Sequence, residues 1–173
     1  AETQLKLFGG LTGHYRAYTW TRSQAVDFNG TTARHTGIGF SVDQRVDDGI
    51  TLFGRYGNLV QGEAPFNQAV SVGAEFNGSY WGRGADTLGI GGAWLKAGSA
   101  YKNSNPEIDI NGDGIADFSF IPSGAETVAE IYYRYHISPQ FELSPDFQWL
   151  TQGGANPDAK SAYVFGLRAN IVY

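Results

Sequence analysis

The chain of 173 residues contains no cysteine and no methionine. Without cysteine it can hold neither a disulfide framework nor a thiolate metal site. With no methionine even at position 1, it is expected to be processed, trimmed or cut from something longer. Neither end carries a secretory h-region, and no apolar run approaches the ~18 residues that a membrane helix requires. A soluble location does not follow, because membrane barrels place their apolar residues at every second position. Positive charge is scarce too: 12 Lys and Arg stand singly against 17 Asp and Glu, for a net charge of −5. The absence of a basic patch argues against nucleic acid as a partner.

What is abundant is glycine and aromatic residues, 24 Gly beside 10 Tyr, 11 Phe and 4 Trp. That mixture suits short β-strands joined by turns. The clearest alternation lies at the C-terminus, where Tyr163, Phe165, Leu167, Ala169, Ile171 and Tyr173 oppose Val164, Gly166, Arg168, Asn170 and Val172. Period 2 over about eleven residues matches a tilted membrane strand. Phe141, Leu143, Pro145, Phe147 and Trp149 oppose Glu142, Ser144, Asp146 and Gln148 in the same way. So do Ile131, Tyr133, Tyr135 and Ile137 against Glu130, Tyr132, Arg134 and His136. Upstream, Val70 and Val72 oppose Ser71 and Glu75, Leu52 and Tyr56 oppose Phe53 and Arg55, and Ile38, Phe40 and Val42 oppose Ser41 and Asp43. A first strand sets Leu5, Leu7, Leu11, Tyr15 and Ala17 against Lys6, Thr12, His14 and Arg16, and the glycine-rich "DTLGIGGAWLKAG", fifth in chain order, brings the count to eight strands.

A soluble two-sheet sandwich also alternates. Two features weigh against it. The polar faces repeatedly carry Glu, Asp, Arg, His and Gln, and the connections alternate in length. Tight turns at 45–49, 81–86 and 137–140 separate long connections at 22–34, 58–68, 98–124 and 152–161. Short periplasmic turns and longer outer loops are the habit of transmembrane barrels. The fold expected is therefore all-β, an antiparallel transmembrane β-barrel with eight strands in this chain and both chain ends on the periplasmic side. Residues 1–173 form one barrel domain or the C-terminal half of one.

The last fifty residues resemble the C-terminal end of the carbohydrate-selective porins of Gram-negative outer membranes, through Glu130, Tyr132, Tyr133, Pro145, Asp146, Gln148, Gly166, Leu167 and Arg168. "HYRAYTW", "GIGFSVDQRVDDGITLFGRYG" and "GRGADTLGIGGAW" are similar to successive strands of that family in the expected order. The resemblance implies the outer membrane, small hydrophilic solutes, carbohydrates among them, and no catalysis. It also implies a departure, since family members are roughly twice as long and form barrels of about sixteen strands. Either further strands, in this polypeptide or a second chain, complete the barrel, or about eight strands close alone. At about eight strands the interior is filled by side chains and the barrel serves as an anchor or scaffold, whereas about sixteen leave an aqueous channel.

The side chains expected to line the channel and meet solute are Arg16, Arg55, Glu75, Glu130, Tyr132, Arg134, Asp146 and Arg168, with Tyr18 and Trp20 sharing their faces. Charges of both signs are costly against lipid and reasonable along water. The longest connection also holds "EIDINGDGIADF", in which Asp109, Asn111, Asp113, the Ile115 carbonyl and Asp117 fall at calcium-loop spacing around Gly114. Calcium there is an expectation, and the competing reading is an Asx-rich turn, because Phe120 stands where the bidentate glutamate belongs. A soluble calcium-dependent carbohydrate-binding sandwich is the remaining alternative. An enzyme is not expected. His14, His35 and His136 lack metal-ligand spacing, and Glu126 and Glu130 lie ~13 Å apart along one strand, too far for paired carboxylate chemistry.

Overall fold

The computed structural model describes residues 1–172. Its strands are β1 (Glu2–Leu7), β2 (Leu11–Val26), β3 (Thr32–Asp47), β4 (Ile50–Gln61), β5 (Phe66–Asn77), β6 (Thr87–Ala97), β7 (Glu107–Ile108), β8 (Phe118–Ser119), β9 (Ala125–Ser138), β10 (Phe141–Thr151) and β11 (Ala162–Ile171). One short helix, α1 (Ser99–Lys102), and two 3-10 turns complete the chain. No helix is long and apolar enough to cross a membrane, which says nothing of strands.

Nine strands form one sheet in the order β1-β2-β3-β4-β5-β6-β9-β10-β11, every pair antiparallel. The hairpin β7–β8 stands apart, inserted in the connection between β6 and β9. Among the described residues β1 and β11 do not pair with each other, so the sheet is open. Apart from β1, with 6 residues, the strands of this sheet run from 10 residues in β11 to 16 in β2 and β3, enough to cross the hydrocarbon layer, for which ~9–11 residues suffice.

Two expectations need correction. The first expected strand is a hairpin, which makes the main sheet nine-stranded rather than eight. Phe8, Gly9 and Gly10 all have positive φ (46°, 77° and 97°) and fold Leu7 back against Leu11. A three-residue turn preserves the alternation, so Leu5, Leu7, Leu11, Tyr15 and Ala17 still share a face and the break leaves no trace in the apolar pattern. It also places the chain start away from the turn end of the sheet where it was expected, with Glu2 opposite Arg16 and β1 running toward the turns. The second correction concerns the connections. β2 and β3 run on as a polar ribbon through Thr21, Arg22 and His35, leaving only 27–31 between them, and β4 and β5 are joined across 62–65. By contrast the β5–β6 turn extends over 78–86. Backbone pairing continues where neither face is apolar, and an alternation of apolar residues cannot register that.

The apolar face has no cover. Phe165, Leu167 and Ile171 are 81%, 69% and 67% exposed, and Phe40, Leu52, Val72, Ile90, Trp94, Ile131 and Trp149 lie open on the same side. Burying such side chains is worth about 1.5–3 kcal/mol each, so a face of this size calls for an apolar medium. Lipid supplies it in a membrane-spanning sheet. Among the described residues, the one buried hydrophobic cluster sits at the loop end of the sheet. Ala97, Tyr101 and Ala155 pack there with Phe28, Phe66 and Phe120, drawing four connections together.

Candidate pore-lining site

Cross-strand register gathers the polar residues. Arg16 stands opposite Ser41, Ser41 opposite Arg55, and Arg55 opposite Ser71. Glu75 faces Gly89, which faces Tyr132, which faces Asp146, which faces Gly166. Glu130 pairs with Gln148, Arg134 with Thr87, and Arg168 with Ser144. Because side chains alternate strictly along strands, all eight expected solute-facing residues project from one side of the sheet, opposite the apolar face.

They fall into two groups. Glu130, Tyr132, Arg134, Asp146 and Arg168 line one concavity of about 200 Å³ across β9, β10 and β11, with Ser144 as its sixth wall. Among the described residues neither Arg134 nor Arg168 has a carboxylate within ion-pair distance. Arg134 lies 6.0 Å from the centre of the Tyr132 ring. The Tyr132 hydroxyl donates to Glu75 Oε2 at 2.9 Å, which ties Glu75 to this group. Arg16 and Arg55 instead meet on β3. Arg16 Nη1 donates to Asp43 Oδ2 at 3.0 Å, and Arg55 Nη2 to Asp43 Oδ1 at 2.5 Å. Arg16 Nε lies 3.2 Å from Glu2, and Arg55 Nη1 also donates to the Val42 carbonyl at 2.6 Å.

Two members of these groups were not among the singled-out residues. Asp43 was legible as a polar-face residue, but its bridging of two arginines depends on register across three strands. Ser144 carries only the parity it shares with Glu142 and Asp146.

Outside the strands, two carboxylates hold connections in place. Asp86 is fully buried in the β5–β6 turn. It accepts from Arg83 Nε, from the Tyr133 hydroxyl at 2.6 Å and from the His136 amide at 3.0 Å. Arg83, more than its other partners, holds the Asp86 carboxyl well below the usual carboxylate range. At the opposite end, Asp27 Oδ1 accepts from the Glu63 amide at 2.8 Å and lies 2.5 Å from His35 Nε2. The Glu63 amide first, and then His35, hold the Asp27 carboxyl below its ordinary value.

The acidic loop closes on itself. Asp109 Oδ1 accepts from the Gly112 amide at 2.6 Å and its Oδ2 from the Gly114 amide at 2.8 Å. Asn111 accepts from the Asp113 amide, Asp113 from the Ile115 amide, and Asp117 from the Ile110 amide. Among the described residues no group of three or more His, Asp or Glu side chains converges on a point where a metal ion would sit. The positive φ of Gly112 and Gly114, 75° and 86°, makes the sharp turns.

The carbohydrate-selective porin, OprB family, model matches residues 6–173. Porin AaxA of Chlamydia pneumoniae is 26% identical over 136 residues, which cover 79% of this chain and 28% of that protein. The high-pH structure of Pseudomonas putida OprB superposes with a TM-score of 0.77 at 20% identity, covering 98% of this chain and 46% of that one. The last likeness speaks for the fold alone. The chain thus spans less than half the length of either protein.

Proposed function

The chain belongs to the carbohydrate-selective porin family, and from that premise we propose that it builds part of the wall of an outer-membrane channel for passive diffusion of small hydrophilic solutes, carbohydrates among them. One observation carries the reading. A single unbroken meander presents charge of both signs on one face and bare apolar side chains on the other, which suits a cylinder wall between lipid and water. Selection then rests on width, charge and hydrogen bonding, with no energy coupling and no bond made or broken.

Under this reading Arg134, Arg168, Glu130 and Asp146, the last also accepting from Gln148 Nε2 at 3.4 Å, act as donors and acceptors along the channel, with Tyr132 between them. The Arg16–Asp43–Arg55 group is closed on itself and serves mainly to shape the wall. Completion of the cylinder requires further strands at the β1 and β11 edges. Reconstitution tests the proposal. The chain, in the assembly in which it is isolated, should give ohmic current steps in planar bilayers and admit sugars to liposomes. Intact protein that produces neither would overturn it.

Calcium in the acidic loop is a lesser proposal. Asp109, Asn111, Asp113, the Ile115 carbonyl and Asp117 would have to turn their oxygens from backbone amides toward the ion, ordering the connection without any part in conduction. A calorimetric titration showing no heat above that of an Asp109→Ala variant would remove it.

A further inference from the structure

The concavity on β9, β10 and β11 is electrically two-sided. Toward the turn end of the sheet stand Arg134 on β9 and Arg168 on β11, with Ser144 of β10 opposite Arg168. Toward the loop end stand Asp146, opposite Tyr132, and Glu130, opposite Gln148. Successive polar-face positions of a strand are roughly 7 Å apart, so strand register alone keeps guanidinium and carboxylate sides from closing on each other. Among the described residues no opposite charge lies within ion-pair distance of any of the four. Asp146 leans onto β11, where its carboxylate fills the space that a β-carbon on Gly166 would take. Its Oδ1 accepts from Gln148 Nε2 at 3.4 Å, and its Oδ2 has no donor among the described residues. Arg134 does not owe its freedom to the open edge, because β6 pairs with β9 on one side and β10 on the other.

Neighbouring charges on the same face are satisfied differently. Arg16 and Arg55 share Asp43. Glu142, one polar-face position beyond Ser144 toward the turns, lies 3.3 Å from His136 Nδ1 and accepts from Asn170 Nδ2 at 3.4 Å. Within the concavity, Tyr132 separates the two sides and turns its hydroxyl away to Glu75. The formal charges of Arg134, Arg168, Asp146 and Glu130 sum to zero. A simple ion drawn to one side is therefore repelled by the other, and an uncharged solute gains hydrogen bonds alone. A solute that carries both signs gains on both sides at once. At about 200 Å³ the space is smaller than the ~300–1,000 Å³ of clefts for drug-sized ligands, so that solute is small.

We propose that this concavity takes small zwitterions, amino acids with a short carbon chain, with the carboxylate between Arg134 and Arg168 and the ammonium toward Asp146 and Glu130. This rests on the channel reading and adds a second, uncyclised class of solute to it. The Ser144 hydroxyl donates to the same carboxylate. The molecule is thereby oriented along the strands, its carboxylate toward the turn end and its ammonium toward the loops.

β-Alanine and lactamide are isomers of nearly equal size, the first a zwitterion and the second uncharged. Liposome swelling in each, at low salt and on the protein in its channel-forming assembly, tests the proposal. The wild type should admit β-alanine faster than lactamide. Arg134→Gln should lower that ratio about 2- to 5-fold, the worth of one solvent-exposed charge pair. Glu130→Gln should lower it as well, although the two variants move the reversal potential in a KCl gradient in opposite directions. Heat-modifiable mobility on gels reports that each variant is folded. The zwitterion site is wrong, and the channel stands, if a conducting wild type admits both isomers at one rate or if folded variants keep its ratio. It is equally wrong if the arginine variant alone lowers the ratio, since that marks plain attraction of anions. If the wild type neither conducts nor swells liposomes, the channel reading fails and the site with it.

Discussion

Asp43 neutralises two guanidinium groups from neighbouring strands, and its removal has a defined electrical consequence. Asp43→Ala removes the carboxylate shared by Arg16 and Arg55, leaving Arg16 with Glu2 alone and Arg55 without an acidic partner, and so adds net positive charge to the proposed lumen. Reversal potentials in a KCl gradient should shift toward anions, and Arg168→Ala should shift them the other way. Asp27 carries a pH dependence of known sign. Its folded pKa lies below its unfolded value, so its contribution is fully present above the unfolded value and is lost as pH falls through the folded one. Acidification below the ordinary carboxylate range should therefore loosen the β4–β5 turn, read as a falling protection factor for the Glu63 amide. In Asp27→Asn that protection should already be low at neutral pH and should not change further in acid. The parity of Arg16, Asp43, Arg55 and Arg168 could be read from sequence, since each lies on an alternating segment, whereas Asp27 falls in a connection. Their partners could not, because register between strands is fixed by turns and bulges that leave no apolar signature.

Connections, rather than strands, are where the elements escaped the pattern. The β1–β2 hairpin announces itself only by Gly9-Gly10, a weak signal in a chain with 24 glycines. β2 and β3 were underestimated because their outer ends have no apolar face to count. The structured cap over the loop end was invisible, since Phe28, Phe66, Tyr101, Phe120 and Ala155 come from four separate connections. Tyr101 is its centre, 8% exposed, edge-on to Phe28 at 5.4 Å, with its hydroxyl donating to the Gly154 carbonyl at 3.3 Å. Tyr101→Ala should cost about 3 kcal/mol of stability local to the cap. Limited trypsin digestion should then cut after Lys102 far sooner than in the wild type, while the barrel strands stay resistant.

For the molecule as a whole, the alternation of two faces was plain from sequence and the number of strands was not. Nine is an odd number, and that matters more than a miscount of one. In an antiparallel meander the first and ninth strands travel the same way, so β1 and β11 both head toward the turn end of the sheet. Two copies of this chain inserted with the same polarity would meet at parallel seams. Antiparallel closure instead requires an odd number of additional strands from other sequence. Native mass spectrometry should accordingly find the conducting species heavier than the 18.8 kDa of this chain, and a conducting homodimer would refute the expectation. Direction of travel at two free edges thus sets the terms of assembly before any side chain is consulted: copies of this chain alone meet only through parallel seams.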